Sequence, residues 1–196
     1  EAANTPLLYA VVDPTGPDLF YRETELPDGK NTRTLLIAAA QNEYEPASFV
    51  VKPLRNLTGF LPVMEDLISA QGDRIPASAV DIRLLKQIVI YGRTLSPNVL
   101  IHDDALLKVD PVNMEMHLRL SFPEGNRYVN MTPETPEPCP RKTQTAKNYP
   151  VVDAAELQPA DLQGGANQQY WLTLSTNSGM KPGLYTSKVN LTENGV

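Results

Sequence analysis

Cysteine is nearly absent from this 196-residue chain. Cys139 stands alone, which excludes an internal disulfide and any multi-cysteine metal site. It lies between Pro138 and Pro140 with no histidine near it in sequence, a poor setting for a catalytic thiol. Basic clusters are also lacking. With 17 basic against 23 acidic residues the net charge is −6, so neither nucleic acid nor an anionic membrane is an expected partner. No run of about 18 apolar residues occurs, so no membrane-inserted helix is expected. No Gly-x-Ser-x-Gly elbow is present, and Gly164-Gly165 lacks the spacing of a phosphate-binding or dinucleotide loop. No cofactor is therefore expected. What is plentiful is proline, 18 residues, nearly twice the usual ~5% share. Proline breaks helix interiors, so a helical bundle is a poor reading.

The positive signal is period-2 alternation. Met114-Glu-Met-His-Leu-Arg-Leu-Ser-Phe122 alternates apolar and polar residues without a fault, the pattern of a half-buried strand. Leu184–Thr192 repeats it, with Tyr185, Val189 and Leu191 inward and Thr186, Lys188 and Asn190 outward. Tyr170–Thr176 is a third strand, rich in strand-forming residues. Between these two, Asn177-Ser-Gly-Met-Lys-Pro-Gly183 is a dense turn cluster. Earlier strands are expected at Leu7–Val12, Leu19–Glu23, Thr34–Ala40, Ala47–Pro53, Phe60–Asp66 and Val80–Ile90, with turn residues between them. The expectation is an all-β chain: one antiparallel β-sandwich domain over residues 1–196, Ig-like or jelly-roll-like, with two facing sheets.

Two features interrupt that order. Residues 123–169 mostly lack strand pattern and are expected to form a long loop or insertion. Its Pro-rich middle, Thr132–Pro140, would be extended, and Asp153–Leu157 could form a helical turn. At the other end, Thr192-Glu-Asn-Gly195 reads as the start of a type I′ hairpin turn. Only Val196 follows, which gives the expectation that the chain is part of a longer protein.

Residues with chemical capacity are few. Glycoside hydrolysis needs two carboxyl groups flanking the bond. The candidate pairs are Glu43/Glu45, Glu65/Asp66 and Asp103/Asp104. Neighbours in a strand point to opposite faces, so Glu65 and Asp66 cannot share a site, whereas Glu43 and Glu45 can. His102-Asp103-Asp104 is the most metal-like cluster. Its plainer reading is a strand-to-turn boundary whose aspartates accept backbone N–H groups. His117 falls on the polar face of its strand and is expected to be exposed. Tyr91, Tyr170 and Trp171 are the aromatic candidates for stacking on a sugar ring, although a lone tryptophan in a strand is more often core. Sequons at Asn56, Asn130 and Asn190 would accept glycans only in a eukaryotic secretory setting.

Three stretches resemble a known domain family. Asn42-Glu-Tyr-Glu-Pro-Ala-Ser-Phe-Val-Val51 is similar to its "Gly-Glu-Tyr-Glu-Pro, then apolar strand" motif. Ile75-Pro-Ala-Ser-Ala-Val-Asp-Ile82 resembles its "Ile-Pro-Ala-Ser-x-Val" step. Asn167-Gln-Gln-Tyr-Trp-Leu-Thr-Leu174, with Lys181-Pro-Gly-Leu-Tyr185, resembles its closing "Gln-x-Trp-x-Thr … Pro-Gly-x-Tyr-x-Gly-x-Val" signature. The likeness covers roughly residues 32–196. Asn42 stands for the usual Gly, Ser187 for a second Gly, and Thr176-Asn177 where Val-Pro is common. The family's β-sandwich precedes a glycosidase-type barrel in bacterial proteins that include glycoside hydrolase family 123.

The resemblance implies that the catalytic acidic pair lies in a downstream barrel, so Asp103/Asp104 would not be that pair and this chain would not itself be an enzyme. It implies a non-catalytic accessory domain of a secreted protein, extracellular or periplasmic. Its partner would be the catalytic domain of the same polypeptide. Carbohydrate is a further possible partner, through an independent binding module, and an adhesion domain of a surface protein is the third reading.

Overall fold

The computed structural model describes residues 6–16, 20–26, 34–90, 93–110, 112–132 and 149–196. Among them the chain is almost entirely strand and turn, in several antiparallel sheets, the architecture of a β-sandwich. Two compact units form, one from Glu1–Arg83 with Pro159–Val196, the other from Leu84–Gln158.

In the first unit, β1 (Leu7–Val12), β2 (Tyr44–Pro53) and β12 (Gln168–Ser175) lie side by side, and the next strand, β6 (Val80–Ile90), borders β12. A second sheet has β3 (Leu57–Met64) between β11 (Ala160–Leu162) and β14 (Val189–Glu193). A third, small one joins β4 (Leu67–Ser69) to β5 (Arg74–Ile75) and β13 (Tyr185–Thr186). The strand β2 is central and buried over Ala47–Val51, which is why its sequence runs Ala-Ser-Phe-Val-Val instead of alternating. Its one polar member, Ser48, donates to the Tyr170 carbonyl (2.8 Å) and accepts from Gln169 Nε2 (2.8 Å). The period of β12 buries Tyr170, Leu172 and Leu174 on one side. Tyr170 stacks on Phe49 of β2 at 5.4 Å and meets Phe60 of β3 at 5.9 Å, so the rings join the two sheets.

The expected strands at 7–12 and 80–90 form with those bounds, and those around Ala47–Pro53, Phe60–Asp66, Met114–Phe122 and Tyr170–Thr176 form with ends shifted by a few residues. Leu184–Thr192 divides into β13 and β14, but keeps the expected alternation of half-buried and exposed side chains from Tyr185 to Asn190. Two expected strands do not form. Of Leu19–Glu23, Leu19 lies outside the described residues, and residues 20–26 are a strap. Its backbone carbonyls are taken by Asn167, whose Nδ2 donates to Tyr21 (2.9 Å) and Thr24 (2.6 Å) and whose N–H donates to Arg22 (2.8 Å). Phe20 then packs on Ala10, Val12 and Val50. Thr34–Ala40 also has no ladder: the Ala40 N–H goes to Glu43 Oε2 and its carbonyl to Thr176 Oγ1.

Turn chemistry is legible in the backbone. Asn42 has φ 64°, the left-handed conformation that Gly or Asn adopts at low cost. Asn194 (φ 52°) and Gly195 (φ 80°) make the I′ turn, closed by reciprocal Glu193 and Val196 backbone bonds of 3.0 and 3.1 Å. At Gly164 a Cβ would lie 2.9 Å from the Arg55 carbonyl carbon, so only glycine fits.

In the second unit, β6 pairs with β7 (Arg93–Ile101), with a register shift after Gln87. A separate sheet orders β8 (Leu107–Asp110), β9 (Glu115–Phe122) and β10 (Gly125–Asn130), with β9 central. Leu120, Phe122 and Val129 form its core, with Leu118, Met131 and Tyr149 against them. The stretch 123–169 therefore holds strands that its loop-like composition concealed: β10, returned by the tight Pro123-Glu124 turn, and β11. Asp153–Leu157 makes a bend and no helical turn, and residues 133–148, with Cys139, lie outside the described residues.

Leu172 is fully buried between the sheets. Leu172→Ala is expected to destabilise the chain by about 2–5 kcal/mol. Urea unfolding would show this as a lower midpoint with an unchanged slope.

Candidate functional site

The first unit contains an apolar cleft of about 740 Å³. Its lining includes Met64 and Leu67, with Leu172 and Leu174 of β12 and Ile75 buried behind it. Interdigitating sheets normally leave no void of that size. Here the lips are two strandless segments, 34–41 and 180–184, which cannot close the sandwich by pairing. Gln41 ties one lip to the other, donating from Nε2 to the carbonyls of Ser178 (3.3 Å) and Met180 (2.8 Å). Tyr185 donates its hydroxyl to the Lys181 carbonyl at 3.0 Å. Asp73 pairs with Lys181 at 2.5 Å, and that bond raises the lysine above its ordinary value.

Five of the six carboxylates singled out by sequence are held by structural partners; the sixth, Glu45, is half-buried in β2 beside Leu174 and has no such partner among the described residues. Glu43 stands just before β2 and caps the Ala40 N–H at 2.7 Å. Glu65 accepts from Asn190 Nδ2 at 2.8 Å. Asp66 accepts the Ala77 N–H at 2.8 Å and pairs with Arg74; the backbone bond first, then the guanidinium, holds its carboxyl below the usual range. Asp103 accepts the Ala105 N–H at 2.9 Å, capping the single turn Asp104–Leu106, and also pairs with Arg119. Asp104 pairs with Lys86.

His102 is buried, and its Nδ1 lies 2.8 Å from the Ala154 carbonyl. A carbonyl only accepts, so Nδ1 carries a proton there and is no metal ligand in this arrangement. The residue that organises this corner is Asp153, which sequence reading passed over. Its carboxylate accepts from the backbone N–H groups of His102 (3.0 Å), Asp103 (3.0 Å) and Ala154 (2.9 Å). The arrangement is the capped strand-to-turn boundary. Among the described residues no group of three or more His, Cys, Asp or Glu converges as a metal site. His117 is half-buried, with Nε2 at 3.0 Å from Glu115.

Of the aromatic candidates, Tyr170 is 1% exposed and covered by Phe49 and Phe60, so it presents no ring face to a ligand. Trp171 points to the opposite side of β12, opposite Ser48, and is half-buried. Tyr91 lies outside the described residues. An open ring among the described residues is Tyr44, 74% exposed at the start of β2. The polar flanks of Tyr44 in Glu43-Tyr-Glu45 were the available signal for it.

No protein-family model matches the chain, and no curated protein does. Among solved structures, a family 123 glycoside hydrolase from Clostridium perfringens, described for the hydrolysis of glycolipid glycans, matches 81% of this chain and 19% of its own, with TM-score 0.45 and 11% identity. This chain is distantly similar to that enzyme. It spans about a fifth of the enzyme's length.

The depressed carboxyls give a pH signature. The stabilising effect of Asp66 is full above its unfolded-state pKa, about 3.9, and is lost as pH falls through the lower folded-state value. Glu193, held down first by its hydrogen bond to Arg55, acts in the same sense. Asp66→Asn is therefore expected to flatten the loss of stability on acidification, read from urea midpoints at pH 6 and below about pH 4.

Proposed function

We propose that this chain is a non-catalytic β-sandwich accessory domain of a secreted bacterial glycan-processing protein, packing on a catalytic barrel of the same polypeptide. The observation that carries the reading is the occupation of its candidate carboxylates. An acid–nucleophile or acid–base pair must converge on one bond with its oxygens available. Here Glu43, Glu65, Asp66, Asp103 and Asp104 are taken up by backbone caps, an amide or cations, which leaves Glu45 without an unengaged carboxylate as its pair. The motifs that resemble the sandwich family agree with this, because each is a piece of scaffold. Asn42 makes a left-handed turn, Phe49–Val51 is central strand, and Tyr170–Leu174 is inner face. On this reading the reacting acids belong to the barrel, and the sandwich contributes shape and stability.

A second reading, an independent carbohydrate-binding module, draws on the exposed Tyr44 ring and the half-buried Trp171. It has no support from Tyr170, which is core.

The test is turnover of aryl N-acetylhexosaminides. The 196-residue chain alone is expected to release no phenol above buffer, while the parent polypeptide turns over within the ordinary range of about 1–10³ s⁻¹. Turnover by the chain alone, abolished by Asp103→Asn or Glu43→Gln, would reverse the reading. Millimolar sugar binding lost in Tyr44→Ala would move it to the module.

A further inference from the structure

One sheet edge in the first unit stands open. It runs along β1, whose sequence is Leu-Leu-Tyr-Ala-Val-Val, six residues without a charge or a proline. This strand ends its sheet and pairs with β2 alone. The phase of that ladder is fixed by the bond from the Leu54 N–H to the Pro6 carbonyl (2.8 Å), which continues the register in which Leu7 faces Pro53. Facing residues of an antiparallel pair are hydrogen-bonded at every second position. Leu8, Ala10 and Val12 therefore bond to β2, while Leu7, Tyr9 and Val11 turn their N–H and C=O groups to the open side. No hydrogen bond among the described residues takes those groups up. Natural edges are usually blunted by charge, proline or shortness. Other strands that end a sheet here carry charge: Asp110 on β8, Arg127 on β10, Asp161 on β11 and Glu193 on β14. The edge at β1 has none, and its Leu8 is 48% exposed.

We propose that β1 pairs antiparallel with β1 of a second copy of this chain, around a two-fold axis through Tyr9. The strand is complementary to itself in that register. Tyr9 of one copy faces Tyr9 of the other, Leu7 faces Val11, and each open N–H meets an open carbonyl. On the other side of the sheet the exposed Leu8 comes opposite the small Ala10. The net charge of −6 opposes association in general, but none of it lies on β1, so no like charges meet across the seam. A seam of one strand from each copy is small, which makes the dimer weak and reversible. The inference goes beyond the accessory-domain reading and does not rest on it. That reading falls with glycoside turnover, and this one with the measurements below.

The experiment is sedimentation equilibrium of the 196-residue chain at about 10–1,000 μM, the range in which so small an interface dissociates, read beside backbone amide hydrogen exchange. A monomer–dimer equilibrium is expected. Exchange of the Leu7, Tyr9 and Val11 amides should slow at high concentration, with that of Leu8 and Ala10 unchanged. V11P removes an outward N–H and none of the bonds to β2, and edge strands tolerate proline. It should weaken the dimer at least about tenfold, since one hydrogen bond is lost from each copy. L8E should also weaken it, by setting two carboxylates at the seam, while Lys52 opposite position 8 gives the new carboxylate a favourable neighbour within each monomer. L54E makes the same change of charge at another exposed leucine, away from the edge, and should leave the dimer unaltered. An unchanged urea slope shows that each variant folds. A monomer throughout that range overturns the proposal. So does a dimer kept at full strength by L8E or a folded V11P, equal weakening by L54E, or growth beyond the dimer, which an edge closed by a two-fold axis cannot give.

Discussion

The contact between Tyr170, Phe49 and Phe60 holds the first unit together. Two of the rings come from neighbouring strands of one sheet and the third from β3 of the other, so a single cluster fixes both the spacing and the register of the layers. The register matters because the side-chain period is two. A slip of one residue in β12 would bring Trp171 and Thr173 into the core and put Tyr170, Leu172 and Leu174 outside. Ser48 gives a second constraint at the same level. Fully buried, it tolerates that position because its hydroxyl donates to the Tyr170 carbonyl and accepts from Gln169.

Away from that centre, side chains replace ladder bonds. Asn167 takes the carbonyls of the 20–26 strap, Thr176 and Glu43 satisfy Ala40, and Asp153 gathers three consecutive-corner N–H groups around His102. Each solves the same problem: backbone polar groups next to a core need partners, and a chain this rich in proline cannot always supply them from a neighbouring strand. The same demand accounts for five of the acids that sequence reading had marked: Glu43, Glu65, Asp66, Asp103 and Asp104 each serve the scaffold as backbone acceptor, amide acceptor or ion-pair partner.

Alternation made the strands readable where one face is buried and the other wet, as in β9 and β12. The Asn-Gly pair marked the turn at 194–195, and Asn42, standing where a glycine is usual, makes another, because few residues accept positive φ. Alternation failed in two directions. Leu35 to Ile37 reads like strand, but no neighbouring strand receives it, and propensity without a partner makes no ladder. Gly125–Asn130 reads like loop, yet it is strand because the Pro123-Glu124 turn returns it onto β9. Tyr170 and Trp171 were marked together as stacking rings, and the same alternation that identifies their strand sends them to opposite faces. Two of the partners of Asp153, His102 and Asp103, lie 51 and 50 residues away in sequence and gave no local signal.

The cleft follows from the same causes as the fold. Pro182 has no N–H to give a ladder, and the chain between β12 and β13 leaves the sheet and stands off as a lip. Thr34–Ala40, tied down at Ala40 by side chains, forms the facing lip and also makes no ladder. Between them the inner residues of β12 stay aligned, since Tyr170 has already fixed their direction. Two locally unpaired segments beside strictly ordered, buried apolar residues give an opening where a continuous sandwich would have given a seam. The opening is thus a product of the turn residues, and its aliphatic lining a product of the strand period.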